Sequence, residues 1–261
     1  MMTLFLRSVQ SEWLKRRRSL TGWLVLAAGL FTPVIIFLFR IAQPAGMPVV
    51  YRSTTFWESL WTQTWESVAV MLLPMFVIVA TGLVLNLETR NNAWKQLHAS
   101  PQPLWIIFLA KLVVLLIILA QFFVVLNLGI YLCGVVPALL IDRIPTPESP
   151  IPFGLFWTRN LHYFAESLPI VALQFALGLR FRNVMVPIGA GMGLWLLAVG
   201  TLSWKFNYLF LFSHPAIDYF KTTAGRVGRG LPAEIHLIAL AAFVALLVAG
   251  YVGYRNQTER G

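Results

Sequence analysis

Long runs of apolar residues, each bounded by charge or proline, constrain this chain more than any other feature. A helix needs about 20 mostly apolar residues to cross a hydrocarbon core about 30 Å thick. Six runs meet that length, at residues 20–39, 68–87, 104–128, 161–179, 184–203 and 235–254. The charged intruders are Lys111 in the third run and Glu166 in the fourth. The third run stays apolar as far as Ile141, so its excess length has to be taken up by tilt or by folding back into the outer interface. The expectation is an all-α polytopic membrane protein with six transmembrane helices and a single membrane domain. Composition agrees: 11% of residues are charged, against about 25% in soluble domains. The net charge of +10 would suggest nucleic acid in a soluble chain. Here no polar surface is left to carry a basic face, and nucleic acid is not an expected partner.

The basic residues set the orientation. With the N-terminus inside, the inner segments hold Arg7, Lys15, Arg16, Arg17, Arg18, Arg90, Lys95, Lys111, Arg180, Arg182, Arg255 and Arg260 against three acids, Glu12, Glu88 and Glu259. The outer segments are nearly balanced. The positive-inside rule therefore puts both termini in the cytoplasm, and six crossings give the same parity. The first run is too long for a signal peptide and reads as a retained first helix.

The segments between spans have their own character. Met2, Leu6, Val9 and Trp13 follow helical spacing with Phe5 beside them, while Arg7, Gln10, Glu12 and the cluster Lys15, Arg16, Arg17, Arg18 occupy other faces. This predicts an amphipathic helix over residues 1–19, lying in the cytoplasmic interface with its cations near anionic lipid headgroups. Between the second and third spans, Ala93, Trp94 and Leu97 give a short helix an apolar edge, and Pro101 and Pro103 end it. On the outer side Trp57, Trp61 and Trp65 recur every four residues, as an aromatic belt at the membrane surface would. The 29-residue connection from Trp204 to Pro232 carries Phe206, Tyr208, Phe210, Phe212, Tyr219 and Phe220, which predicts a re-entrant outer hairpin turning near Pro215.

Catalytic signatures are absent. The histidines are scattered without metal-ligand spacing, the single Cys133 forms no cluster, and neither a nucleophile elbow nor a phosphate-loop order occurs. The chain is expected not to be an enzyme and to hold no cofactor of its own. The polar residues within the spans, Gln121, Asn127, Glu166 and Gln174, are the candidates for a translocation path. Glu166 sits near the outer end of its run, where hydration is the simplest expectation.

An amphipathic elbow, six spans, a Glu-led short helix after span two and an aromatic hairpin between spans five and six together resemble an exporter permease of the ABC type-two superfamily. The chain is similar to the small bacterial permeases of the bacteriocin-immunity and drug-export groups. The local match is Glu88, then Trp94, Leu97 and Pro101, then Lys111 entering span three. The resemblance implies a half-transporter of the bacterial inner membrane. Two permease subunits, identical or paralogous, would pair above an ABC ATPase dimer, with ATP and Mg held in that partner. It further implies a cytoplasmic coupling helix over Glu88 to Leu97, including Arg90 and Lys95, with Arg180 and Arg182 as a second inner contact. Residues Met2 to Arg18 would be the elbow helix, and the hairpin from Phe206 to Tyr219 an exit lid. The cargo implied is a peptide, lipid, glycan or drug-like molecule. Two other classes stay open on sequence alone, an ion-coupled secondary carrier and a non-transporting membrane anchor.

Overall fold

The computed structural model describes residues 2–16, 20–90, 103–181, 183–223 and 234–258. Every regular element among the described residues is helical. The chain opens with α1 (Met2–Arg16) and the apolar α2 (Thr21–Ala42). Two short helical turns, α3 (Met47–Tyr51) being the second, then lead to α4 (Phe56–Ser67). A π-helical turn, Val68–Leu72, joins α4 to α5 (Leu73–Arg90). There follow α6 (Leu104–Leu140), α7 (Phe153–Arg180), α8 (Met185–Gly200), α9 (His214–Thr223) and α10 (Ile235–Thr258).

Among the described residues, four helical stretches are long and apolar enough to cross a membrane: Thr21–Ala42, Phe56–Asn86, Leu104–Leu140 and Ile235–Asn256. The two other runs are helical but differ from the simple pattern. α7 is 28 residues long, yet His162, Glu166 and Gln174 dilute its apolar character. α8 has only 16 residues. The second span is not confined to 68–87, because α4 continues it outward through the π turn. The third runs unbroken for 37 residues, a length of about 55 Å, instead of folding back. Helix α7 begins eight residues ahead of the expected 161.

Close approach holds these helices together where lipid supplies no hydrophobic drive. α6 lies against α1 and α2, α7 against α5 and α10, and α5 touches α2, α6, α7 and α8. Along the α2–α6 seam a Cβ on Gly29 would sit 2.8 Å from Val125 Cγ1, and one on Gly129 would sit 3.0 Å from Pro33 Cγ. Glycine at both positions lets the backbones meet. The π turn ahead of α5 is tied to α8 by a hydrogen bond. Pro74 has no N–H to offer the carbonyl four residues earlier, and the indole N–H of Trp195 on α8 donates to that Val70 carbonyl at 2.8 Å. The outward faces of α2, α8 and α10 stay apolar and exposed, with Leu38, Leu196 and Val244 above half exposure, as lipid contact requires.

The three tryptophans do not form a surface belt. Trp57, Trp61 and Trp65 are at most 5% exposed. Trp57 stacks on Tyr131 at 5.9 Å, Trp61 on Phe156 at 5.4 Å and Trp65 on Tyr163 at 4.1 Å. α6 and α7 extend as far outward as α4 does, so the rings face neighbouring helices rather than headgroups.

Candidate functional site

The end of the fold that carries α1 is organised around Glu12, which pairs with two lysines. Lys111 lies two turns inside α6 and is 2% exposed, a position that an unpartnered ammonium could hold only at high cost. Its Nζ lies 3.0 Å from Glu12 Oε2 on α1. Lys15, one turn further along α1, donates to Glu12 Oε1 at 2.6 Å. Burial would raise the Glu12 carboxyl, but the Lys111 and Lys15 ammonium groups outweigh it and hold the group below the usual glutamate range. Glu12 was expected on a face turned away from the apolar stripe. Instead Ser8 and Glu12 are the buried residues of α1, because Lys111 needs an acid and α1 supplies it. The apolar stripe is divided: Val9 and Trp13 are half-buried against the core, while Met2 and Leu6 face outward. The Arg16 guanidinium lies 4.4 Å over the Trp13 ring, and Arg17 and Arg18 lie outside the described residues.

Helix α5 carries the chain to Arg90 at this same side. The side chains of Glu88 and Arg90 lie outside the described residues, as do Trp94, Lys95, Leu97, Pro101 and Arg182. Arg180 is exposed at the end of α7.

The residues proposed for a path are spread along two helices rather than gathered. Gln121 and Asn127 belong to α6, and Glu166 and Gln174 to α7. Glu166 is fully buried, and neither carboxyl oxygen has a hydrogen-bond partner within the protein. The connection beyond α8 folds α9 against α7 and the π turn, with Asp218 of α9 near Arg159 in the first half of α7. Gln174 is also buried, with its amide against Gly191 of α8. Asn127 pairs across the helices with Asn160, a residue just ahead of the expected fourth span. Asn127 Nδ2 donates to Asn160 Oδ1 at 3.0 Å, and Asn160 Nδ2 returns the bond to Asn127 Oδ1 at 3.1 Å.

This amide pair borders a cleft of about 730 Å³ between α4, α6 and the start of α7. Its walls include Trp57, Trp61, Phe123, Tyr131, Phe156 and Trp157. The alternation of Trp every four residues was the legible part of this wall. The contributions of α6 and α7 depend on their mutual register, which no local pattern encodes.

In the connection between α8 and α9, Phe206 is exposed, Tyr208 and Phe210 are half-buried, and Pro215 is buried, as is Tyr219 within α9. Asn207 Nδ2 donates to the Ala198 carbonyl at 3.0 Å, and Ser213 Oγ to the Asn207 carbonyl at 2.8 Å. His214 Nε2 lies 2.8 Å from the Tyr208 carbonyl. These bonds fold the aromatic segment back over the end of α8. No grouping of His, Cys, Asp and Glu among the described residues is suited to hold a metal ion.

Compared with known proteins, residues 8–217 match the family described as ABC-2 family transporter protein. No curated protein and no solved structure matches the chain.

Proposed function

Because the chain belongs to the ABC-2 transporter family, a family of membrane transport components, we propose that it is one half of the membrane part of an ATP-driven exporter. The family match over residues 8–217 carries this reading. Two such permeases, identical or paralogous, sit in a bacterial inner membrane with both termini in the cytoplasm. Two ATPase subunits beneath them bind and hydrolyse Mg-ATP. Glu88 to Leu97 forms the coupling helix on the ATPase, and Arg180 and Arg182 give the second inner contact.

The buried Glu12–Lys111 pair supports a mechanical role for α1. A helix that lies in the interface by lipid contact alone would slide freely. One bonded into span three moves with it. Closure of the ATPase dimer would then push on the coupling helix and, through the α1–α6 junction, reorient α6 as a unit. Such a push shifts the balance between inward and outward states only through contacts that differ between them. The aromatic segment from Phe206 to Tyr219, folded over the outer end of α8, lies where an exit lid would act.

The cargo is a peptide, lipid, glycan or drug-like molecule. The test is ATP hydrolysis by the reconstituted permease–ATPase complex, measured across these four classes. Stimulation by one class identifies the cargo. Hydrolysis indifferent to all of them, with no movement of any, counts against an exporter.

A further inference from the structure

The cleft between α4, α6 and α7 lies at membrane depth. Two α6 residues interspersed with its lining positions touch the middle of α2: Val125 meets Gly29, and Gly129 meets Leu30 and Pro33. α2 is apolar enough to cross a membrane, so the medium at that level is hydrocarbon rather than water. The rim of the cleft is open to that medium, with Val124 67% and Trp157 69% exposed. Its floor of Trp61, Phe123 and Ile130 is buried.

The polar chemistry of the cleft is equally restrictive, because no lining residue is charged. Each amide of the Asn127–Asn160 pair uses one N–H across the pair and the other on its own helix, at 2.8 Å to the Phe123 carbonyl and 2.7 Å to that of Phe156. The pair therefore has no N–H left to offer a ligand, and only a spare lone pair on each oxygen. An anion or a charged headgroup finds no charged side chain among the lining residues, and the one buried donor left without a partner there is the Trp61 indole N–H. A hydrocarbon chain finds aromatic walls and a volume within the range of pockets that enclose whole small ligands.

We infer that this cleft binds an acyl chain of a membrane lipid, admitted sideways between Val124 on α6 and Trp157 on α7. The chain lies against Trp61, Phe123 and Phe156, with the amide pair as a polar stop. This inference rests on the membrane placement of α2 and α6 and not on coupling to an ATPase, so the permease alone can test it.

The full chain is placed in nanodiscs of phosphatidylethanolamine and phosphatidylglycerol. These contain a phosphatidylcholine with a diazirine midway along one acyl chain. After irradiation, adducts are mapped by mass spectrometry. The expected result is labelling of the buried floor, Trp61 and Phe123, alongside the outward-facing Leu38 and Phe39 of α2. Val124→Trp plugs the rim from an exposed position, and Val124→Phe is a smaller plug should the first not accumulate. Either should lose the floor adducts and keep those on α2. Labelling confined to outward-facing residues in the wild type overturns the inference. So does a floor signal that persists with the rim plugged. A floor that stays unlabelled while Val124→Cys forms a disulfide-linked dimer assigns the cleft to a second copy of the chain and also overturns it.

Discussion

Breaking the bond between Glu12 and Lys111 should detach α1 from the membrane helices. At 3.0 Å and an effective dielectric of about 20, the two charges attract by about 5 kcal/mol. Desolvation offsets much of this, but removing one partner of a buried pair still costs about 3–5 kcal/mol, because the other charge stays buried. The two single variants are not equivalent. Glu12→Gln leaves the Lys111 ammonium, 2% exposed, without its carboxylate and belongs at the upper end of that range. Lys111→Met leaves Glu12 bonded to Lys15 nearer the surface and belongs at the lower end. The double variant Glu12→Gln/Lys111→Met removes both charges and should be more stable than Glu12→Gln alone, with a coupling energy of about 2–3 kcal/mol. The single cysteine, Cys133, is buried, so thermal unfolding in lipid nanodiscs can be followed by its reaction with a thiol dye.

The same pair sets a pH dependence. Glu12 is held below its ordinary value near 4.5, so its contribution is fully present above that value and is lost as pH falls through the lower folded-state value. The midpoint of wild type should drop on acidification below about pH 4.5, and that of the double variant should drop less. Independent, additive effects below about 1 kcal/mol for each single variant would refute the reasoning, since they would make the contact a screened surface pair.

Other contacts give sharp expectations. Asn160→Leu strands the Asn127 amide at the cleft and should cost about 1–2 kcal/mol. Adding Asn127→Leu should recover part of that loss in the same thiol-reaction assay. Trp195→Phe leaves the Val70 carbonyl without its indole donor and should cost about 1 kcal/mol. Cross-linking between cysteines introduced on α5 and α8 would show the seam loosening. Gly29→Ala forces a methyl to within 2.8 Å of Val125 and should lower stability by about 1–3 kcal/mol. Gly189→Ala, with no atom within 4 Å of the added carbon, should leave stability unchanged.

The sequence and the fold agree where local pattern carries the information. Apolar runs and their bounding charges locate the helices, and the spacing of Met2 to Trp13 makes α1 helical. What escapes the sequence is register between distant helices. Nothing near Lys111 announces that its acid lies in the first sixteen residues, and nothing near Asn127 singles out Asn160. The Trp57, Trp61 and Trp65 stripe has the same spacing whether it faces headgroups or aromatic neighbours. Burial was decided by how far α6 and α7 extend beside it. Glu166 shows the same limit: its place near the end of an apolar run suggests exposure, while α9, folding back over α7, helps to bury it. Pro74 lacks an N–H by its identity alone, but the donor that satisfies the carbonyl it orphans comes from Trp195, 121 positions away.

The most direct test of ATP-driven transport through the inner face is affinity purification of the full chain from its native membranes in mild detergent. The co-purifying proteins would be identified and ATP hydrolysis measured, for wild type and for Glu88→Ala/Trp94→Ala. The account predicts an ATPase with Walker motifs in equal amount to the permease, active on Mg-ATP and lost from the double variant. A permease that purifies without any ATPase, and moves cargo in liposomes under a pH gradient alone, would contradict it.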